Sequence, residues 1–248
     1  MQSTGKYQLK TFRKQLDINF KNKNEFVTAV DINSEKMLKQ KLNKLLPQAS
    51  FFGEETGRTS SRPYEWIVDP VDGTTNFVKG IDQFSISIAL TENNIPVTGV
   101  IYKPFSDEFF YGVKDHGAYY QDKPLTLKKN TELKNALIAT GFPYRSPQYL
   151  DTFMQCAREV LQTCSGIRRL GSAALDLSYL AAGFFDGFWE SDLKPYDIAA
   201  ALVLLQETGC ITVNEKNQKY KLFEDRIFIA AHPAIFKDFA KIIIKYYN

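Results

Sequence analysis

The sequence predicts an α+β fold in which an antiparallel sheet is followed by a mixed α/β half. Three observations carry that expectation. Strand-like segments follow one another between residues 84 and 121 without a helix between them, as in an antiparallel sheet. From about residue 133 strands alternate with helical segments. Ahead of both, apolar residues recur at helical spacing in two segments.

The first of these segments, 7–16, places Leu9, Phe12 and Leu16 on one side, and the second, 33–46, does the same with Leu38, Leu42, Leu45 and Leu46. Short apolar runs predict strands at 50–52 and 66–69. Phe84, Ile86, Ile88 and Leu90 alternate, Asn93-Asn94 suits a turn, and 96–102 resumes as a strand, so a hairpin is expected. Strands at 108–113 and 118–121 flank the Asp115-His116-Gly117 turn. In the second half, strands are expected at 136–140, 167–170, 187–189, 210–213 and 226–230, with helices at 148–164, 172–182, 195–208 and 233–246. The polar stretch 128–134 marks the boundary, giving halves of 1–133 and 134–248.

Composition excludes several classes. The chain of 248 residues is 44% hydrophobic and 24% charged, an ordinary globular balance. Its longest apolar run, 198–205, is too short to span a bilayer, and residues 1–20 are polar and lysine-rich rather than signal-like. Cytoplasm is the expected compartment. A net charge of +3, with lysines scattered rather than striped, gives no reason to expect nucleic acid or a membrane as partner. Cys156, Cys164 and Cys210 form no metal or disulfide pattern. His116 and His232 are far apart in sequence, so any metal here should be bound by oxygen.

The most informative stretch is Trp66-Ile-Val-Asp-Pro-Val-Asp-Gly-Thr-Thr-Asn-Phe77. Asp69 and Asp72 end a short strand and offer oxygen ligands to a hard divalent cation, shared or paired. Pro70 stiffens the corner and biases Asp69 towards an extended conformation. Gly73 permits close approach of a ligand, and Thr74 and Thr75 suit the first turn of a helix whose N–H groups could hold a phosphate. Taken alone, these residues leave a surface Pro-Gly turn equally open. Further acids stand at element ends: Asp31 just before the second helix, Glu54 and Glu55 after Gly53, Glu190 after Gly187-Phe188-Trp189, and Asp197 in the first turn of an apolar helix. Singly, each reads as a helix-dipole charge or a solvated loop.

Their joint order resembles the inositol monophosphatase family of magnesium-dependent, lithium-sensitive phosphatases, over about residues 10–240. The first hallmark of that family matches 66–77, with upstream elements similar to Glu25-Phe-Val-Thr-Ala-Val-Asp31 and Gly53-Glu-Glu55. The second resembles Pro195-Tyr-Asp-Ile-Ala-Ala200, while Thr140-Gly-Phe-Pro-Tyr144 and Arg169-Leu-Gly-Ser-Ala-Ala174 resemble the bacterial branch. The resemblance implies a layered αβαβα sandwich like that of fructose-1,6-bisphosphatase, working as one catalytic unit and forming a homodimer, with most metal ligands in 1–133 and the substrate pocket completed by 134–248.

It also implies roles. Glu54, Asp69 and the Val71 carbonyl would bind one Mg²⁺, and Asp69, Asp72 and Asp197 a second, with Glu54 supporting a third through water. Thr74 with Asp31 would orient and deprotonate the attacking water. Gly73 and Thr74 would hold the phosphate, and Gly171, Ser172, Ala173 and Glu190, with Asp72 and Asp197, would border the substrate. Lys21 matches a lysine near the site, with Lys23 as the alternative.

The chain departs from the family in three places. Tyr196 stands for the usual tryptophan, Ala201 for a frequent glycine, and the N-terminus begins roughly fifteen to twenty residues into the family's pattern, near the end of its usual first helix. The expected function is a Mg²⁺-dependent phosphomonoesterase acting on inositol 1-phosphate or a similar small polyol phosphate. Same-fold alternatives are fructose 1,6-bisphosphate, 3′-phosphoadenosine 5′-phosphate, NADP and histidinol phosphate. Thr75-Asn76-Phe77 and Glu190 favour the inositol branch. A regulatory protein acting on transcription complexes is the alternative from another class.

Overall fold

In the computed structural model the described residues are 1–15, 18–22, 25–60, 62–127 and 132–248, with the side chains of 16–26 outside that set. The chain begins with α1 (Gln2–Thr11), β1 (Ile18–Asn22), β2 (Glu25–Thr28) and α2 (Ala29–Leu45). Next come β3 (Ser50–Gly53), β4 (Gly57–Arg58), β5 (Tyr64–Asp72) and the short α3 (Thr74–Lys79). The meander β6 (Ser85–Glu92), β7 (Ile95–Lys103), β8 (Glu108–Val113), β9 (Ala118–Tyr120) and β10 (Lys123–Pro124) follows. The remainder runs β11 (Leu137–Thr140), α4 (Leu150–Thr163), β12 (Gly166–Arg168), α5 (Ala173–Ala181), β13 (Gly187–Ser191), α6 (Pro195–Thr208), β14 (Ile211–Val213), β15 (Ile227–Ala231) and α7 (Pro233–Tyr247).

The layers are those expected. An eight-stranded sheet, β10-β9-β8-β7-β6-β5-β3-β4, carries α1 and α2 on its outer side, where Leu38, Leu42, Phe51, Trp66 and Ile88 pack together. Helices α5 and α6 fill the space between this sheet and a five-stranded one, β12-β11-β13-β15-β14. Helices α4 and α7 cover the outer face of the second sheet around Trp189, Ile229 and Phe239. The second sheet is mixed, with β11 parallel to β12 and β13, and β15 antiparallel to β13 and β14.

The meander from β5 to β10 is antiparallel as expected, and one neighbour pair of this sheet is parallel. Strand β3 runs parallel to β5, in the register Gly53↔Val68, because the β4 hairpin carries the chain back before β5 sets out. The alternation at 84–90 gives the expected hairpin of β6 with β7. Both faces of β6 are buried, Ser87 and Ala89 as well as Ile86 and Ile88. Small residues occupy the second face because α6 lies close against it. A Cβ on Gly99 of β7 would fall 2.1 Å from the Ala200 carbonyl oxygen, so only glycine admits this helix. Ala200 and Ala201 are fully buried there.

Two helices are placed differently from the periodicity. Helix α1 starts earlier and stops at Thr11, with Arg13 at φ 63 turning the chain. Its buried face is Thr4, Gly5 and Gln8, while Leu9 is exposed. Gln8 Nε2 donates to the Pro70 carbonyl at 2.7 Å and to Ser34 Oγ at 3.1 Å, a polar anchor that apolar periodicity does not register. Helix α2 begins at Ala29, not residue 33, because Thr28 caps it. Leu16 and residues 128–131 of the expected boundary lie outside the described residues.

Candidate active site

Parallel neighbours finish at the same edge of a sheet, so the pairing of β3 with β5 sets Glu54 beside Asp69. The Glu54 N–H donates to the Val68 carbonyl at 3.1 Å, extending the ladder to the turn. Asp69 and Asp72 present a separate problem. Three positions apart on a regular strand, they would point to opposite faces. The pairing Asp69↔Ser87 and Asp72↔Ser85 shows a bulge, with two residues of β5 set against one of β6, and this returns both carboxylates to one side. Asp69 Oδ1 accepts the Val71 N–H at 3.0 Å and braces the bulge.

Asp197 arrives from the first turn of α6, behind Pro195. Its Oδ2 accepts the Lys194 N–H and an Arg145 guanidinium N–H, both at 2.7 Å. One carboxylate oxygen from each of Asp69, Asp72 and Asp197 lies within 4.8 Å of the others, and all three side chains are buried. Burial, followed by repulsion from Glu54, Asp72 and Asp197, holds Asp69 well above the usual carboxylate range. Burial and the charge of Asp197 push Asp72 up to about 7, against hydrogen bonds from Ser172 and Ala174. Burial also raises Asp197, although Arg145 opposes it. A buried, oxygen-only cluster of mutually repelling acids fits a hard divalent cation, which relieves desolvation and repulsion together.

Asp31 stands apart from this cluster and reaches it through Thr74. It lies inside α2 at the third helical position, not ahead of the helix as expected, because it closes a capping box with Thr28. Oδ2 accepts the Thr28 N–H at 2.8 Å and the Thr28 hydroxyl at 2.6 Å. Oδ1 faces Thr74 Oγ1 at 3.0 Å, and that hydroxyl lies at the same distance from the Val71 carbonyl oxygen. Asp31 is fully buried, and burial raises its pKa despite these bonds. Thr74, which borders the cleft, thus stands between Asp31 and that space.

The cleft, of about 400 Å³, is bordered by Glu54, Asp69, Val71, Asp72 and Gly73–Thr75 on one side. Gly171–Ala173, Glu190 and Asp197 border it on the other. Gly73, at φ 97, starts α3 with its N-terminus at the cleft. Gly171 is left-handed at φ 92, and its carbonyl oxygen would sit 3.2 Å from a Cβ on Gly73, so the two turns touch. Ser172 caps α5 and donates to Asp72 Oδ2 at 2.5 Å, while the Ala174 N–H reaches the same oxygen at 2.8 Å. The Glu190 carboxylate lies over Gly141, where a Cβ would fall 2.0 Å from Oε1. Burial and Asp197 push Glu190 up to about 8, against the pull of Arg145 and Arg169. Lys21 belongs to β1, but its side chain is outside the described residues, as is Lys23. Tyr196, which stands for the family's usual tryptophan, packs edge-on against Phe52 with ring centroids 5.9 Å apart.

Sequence reasoning missed four contributors. Arg145 directly follows the 140–144 motif and pairs with Asp197. Arg169 opens the 169–174 motif, its guanidinium over the Tyr144 ring at 5.5 Å and the Phe142 ring at 5.9 Å. Asp176, in the first turn of α5, is buried at the cleft with its carboxyl raised by burial and by Glu190. Asn76 Nδ2 donates to the carbonyls of Gln83 at 2.6 Å and Leu170 at 2.8 Å, tying α3 to the Gly171 turn. Asn76 sat in the quoted hallmark, but its partner 94 positions away was not visible there.

Comparison with known proteins agrees with this architecture. A sequence model of the Inositol monophosphatase family matches residues 2–246. The chain is 38% identical over 197 residues to a fructose-1,6-bisphosphatase/inositol-1-monophosphatase of Aquifex aeolicus, covering 79% of this chain and 75% of that one. It is 40% identical over 196 residues to an inositol-1-monophosphatase of Mesorhizobium japonicum, covering 78% and 74%. With the Nus factor SuhB of Pasteurella multocida it shares 35% identity over 91% of this chain and 85% of the relative. Among solved structures, the extragenic suppressor protein suhB of Bartonella henselae superposes with a TM-score of 0.92 at 33% identity, over 98% and 94% of the two chains. The Thermotoga maritima IMPase gives a TM-score of 0.91 at 27% identity, over 100% and 94%. With hallmark sequences, layered fold and acidic cleft in agreement, the chain belongs to the inositol monophosphatase family.

Proposed function

We propose that this phosphatase-family chain is a Mg²⁺-dependent phosphomonoesterase whose substrate is inositol monophosphate or a similar small polyol phosphate. The observation that carries the proposal is the convergence of Asp69, Asp72 and Asp197 at one cleft, within reach of the Thr74–Asp31 pair. In this reading Glu54, Asp69 and the Val71 carbonyl would hold one cation, and Asp69, Asp72 and Asp197 would hold a second, with Glu54 supporting a third. When bound, such ions lower the pKa of water and offset charge on the phosphate oxygens and the leaving alkoxide.

The chain's own residues do the rest. Asp31 keeps the Thr74 hydroxyl oriented. The proton lost by the attacking water passes to Thr74 Oγ1 as that hydroxyl's own proton passes to Asp31 Oδ1, whose raised pKa suits it to that task. The N–H groups of Gly73 and Thr74 hold the phosphate at the start of α3. Ser172 and the Ala174 N–H hold Asp72. Glu190, with Gly171 to Ala173, accepts hydroxyls of the alcohol. Phosphate monoesters are among the slowest bonds to hydrolyse unaided, so nearly all the work is positioning and charge stabilisation.

A panel of phosphate esters assayed with Mg²⁺, with and without Li⁺, tests the reading. Inositol 1-phosphate should lead, Li⁺ should inhibit, and preference for a nucleotide or bisphosphate ester would move the chain to another branch of the fold. The similarity to proteins named Nus factor SuhB and extragenic suppressor protein suhB supports a second reading, a regulatory role on transcription complexes beside catalysis. An Asp69→Asn chain that loses activity yet captures the same transcription proteins as the native chain would separate the two.

A further inference from the structure

We infer that Glu35 is a positioning residue for divalent-cation binding, its carboxylate on α2 fixing the turn from which Glu54 reaches the cleft. The inference rests on the metal reading above. Glu35 is 1% exposed. Its Oε2 accepts the Glu55 N–H at 2.8 Å and its Oε1 accepts the Thr56 N–H at 3.0 Å. Two successive backbone N–H groups thus close around one carboxylate, as in an anion-binding nest. The fit is tight on the other side too. A Cβ on Gly53 would fall 2.2 Å from Glu35 Oε2, so the carboxylate lies directly against the end of β3.

The turn needs such a hold. Glu54 adds negative charge beside Asp69, and the repulsion is felt at Asp69. A loosely held turn would let the Glu54 side chain take several positions, and cation binding would bear the cost of ordering it. Both sides of the turn are instead fixed, by Val68 before it and by Glu35 after it. Asp31 lies one helical turn ahead of Glu35 on the same face of α2. One helix therefore presents two carboxylates, one to the Thr74 hydroxyl and one to the Glu54 turn.

Glu35→Gln keeps the shape but sets an amide N–H against one of the two backbone donors. Calorimetric titration of Mg²⁺ into metal-stripped native and variant protein reads the effect without turnover. Partners that orient metal ligands are worth roughly 10–100-fold in affinity, so a Kd raised at least about tenfold is expected, with KM for inositol 1-phosphate at saturating Mg²⁺ within about twofold. Should Glu35→Gln fail to fold, Glu35→Asp keeps the charge but is too short to span both N–H groups, and the same rise is expected. An unchanged Mg²⁺ Kd beside a lowered Tm would make Glu35 purely structural and overturn the inference alone. A native chain that takes up no Mg²⁺ would overturn the metal reading and this inference with it.

Discussion

Ser172 Oγ donates to Asp72 Oδ2 across 2.5 Å, joining the cap of α5 to the bulged end of β5. The same hydroxyl accepts the Leu175 N–H at 3.3 Å, so one side chain both caps a helix and steadies an acid of the cluster. Ser172→Ala removes both contacts while Ala174 keeps its bond to Asp72. A lost cap costs about 1 kcal/mol and a lost hydrogen bond to a carboxylate about 1.5–3 kcal/mol. Urea unfolding should show a loss in the range of about 2–4 kcal/mol, and an unchanged midpoint would remove the dual role.

Asp69→Asn should affect stability and activity in opposite senses. Asp69 is held among Glu54, Asp72 and Asp197, so without metal the neutral amide relieves repulsion and Tm in EDTA should rise. With metal, the lost ligand charge should cut turnover by about 10²–10³-fold, on the scale of removing a main electrostatic stabiliser. Near-native turnover at saturating Mg²⁺ would remove Asp69 from the ligand set.

The acidic cluster also sets a pH dependence. Asp72 moves from an ordinary value of 3.8 to about 7 in the folded chain. Between those values the folded state holds more protons than the unfolded one, so stability falls as pH rises. The contribution is complete below about pH 4 and is lost as pH passes about 7. Metal-stripped protein should therefore lose Tm across this window, and Mg²⁺ should flatten the profile. A flat profile without metal would mean that the acids titrate alike in the folded and unfolded chain, against the raised value of Asp72.

Thr74→Val deletes the hydroxyl that links Asp31 to the cleft. A positioned proton acceptor contributes about 10²–10⁴-fold, so kcat should fall by about that factor, while Thr74→Ser retains most activity. The double variant Thr74→Val, Asp31→Asn should lose little more than either single change, since the two act as a unit. Additive losses would show that Asp31 acts by another route.

Glu190→Gln tests the pocket rather than the metal. A weakened hydrogen bond to a substrate hydroxyl should raise KM for inositol 1-phosphate about tenfold, with little change for p-nitrophenyl phosphate, which offers no hydroxyl to bind. Equal effects on both esters would place Glu190 outside substrate recognition.

What could be read from the chain in advance follows from how local each feature is. The hallmark at 66–77 is contiguous, so Asp69, Asp72 and the helical start at Thr74 were legible together. The bulge that turns both aspartates to one face was not, because it depends on the register of β5 against β6. Glu54 was singled out after Gly53 and given its role by resemblance, but its place beside Asp69 comes from the parallel pairing of β3 with β5, which no local pattern carries. Asp31 was found and put outside its helix, since helical spacing begins at the first apolar repeat and ignores the Thr28 cap. Gln8, Arg145 and Asn76 act through partners 52 to 94 positions away, and no periodic pattern carries such pairings.

Mg²⁺ titrated into metal-stripped native protein, with phosphate release from inositol 1-phosphate as the readout, tests the central claim most directly. The account predicts no release in EDTA and a saturable rise as Mg²⁺ fills the site of Asp69, Asp72 and Asp197. Hydrolysis that persists unchanged in EDTA, or no release at any Mg²⁺ concentration, would contradict it.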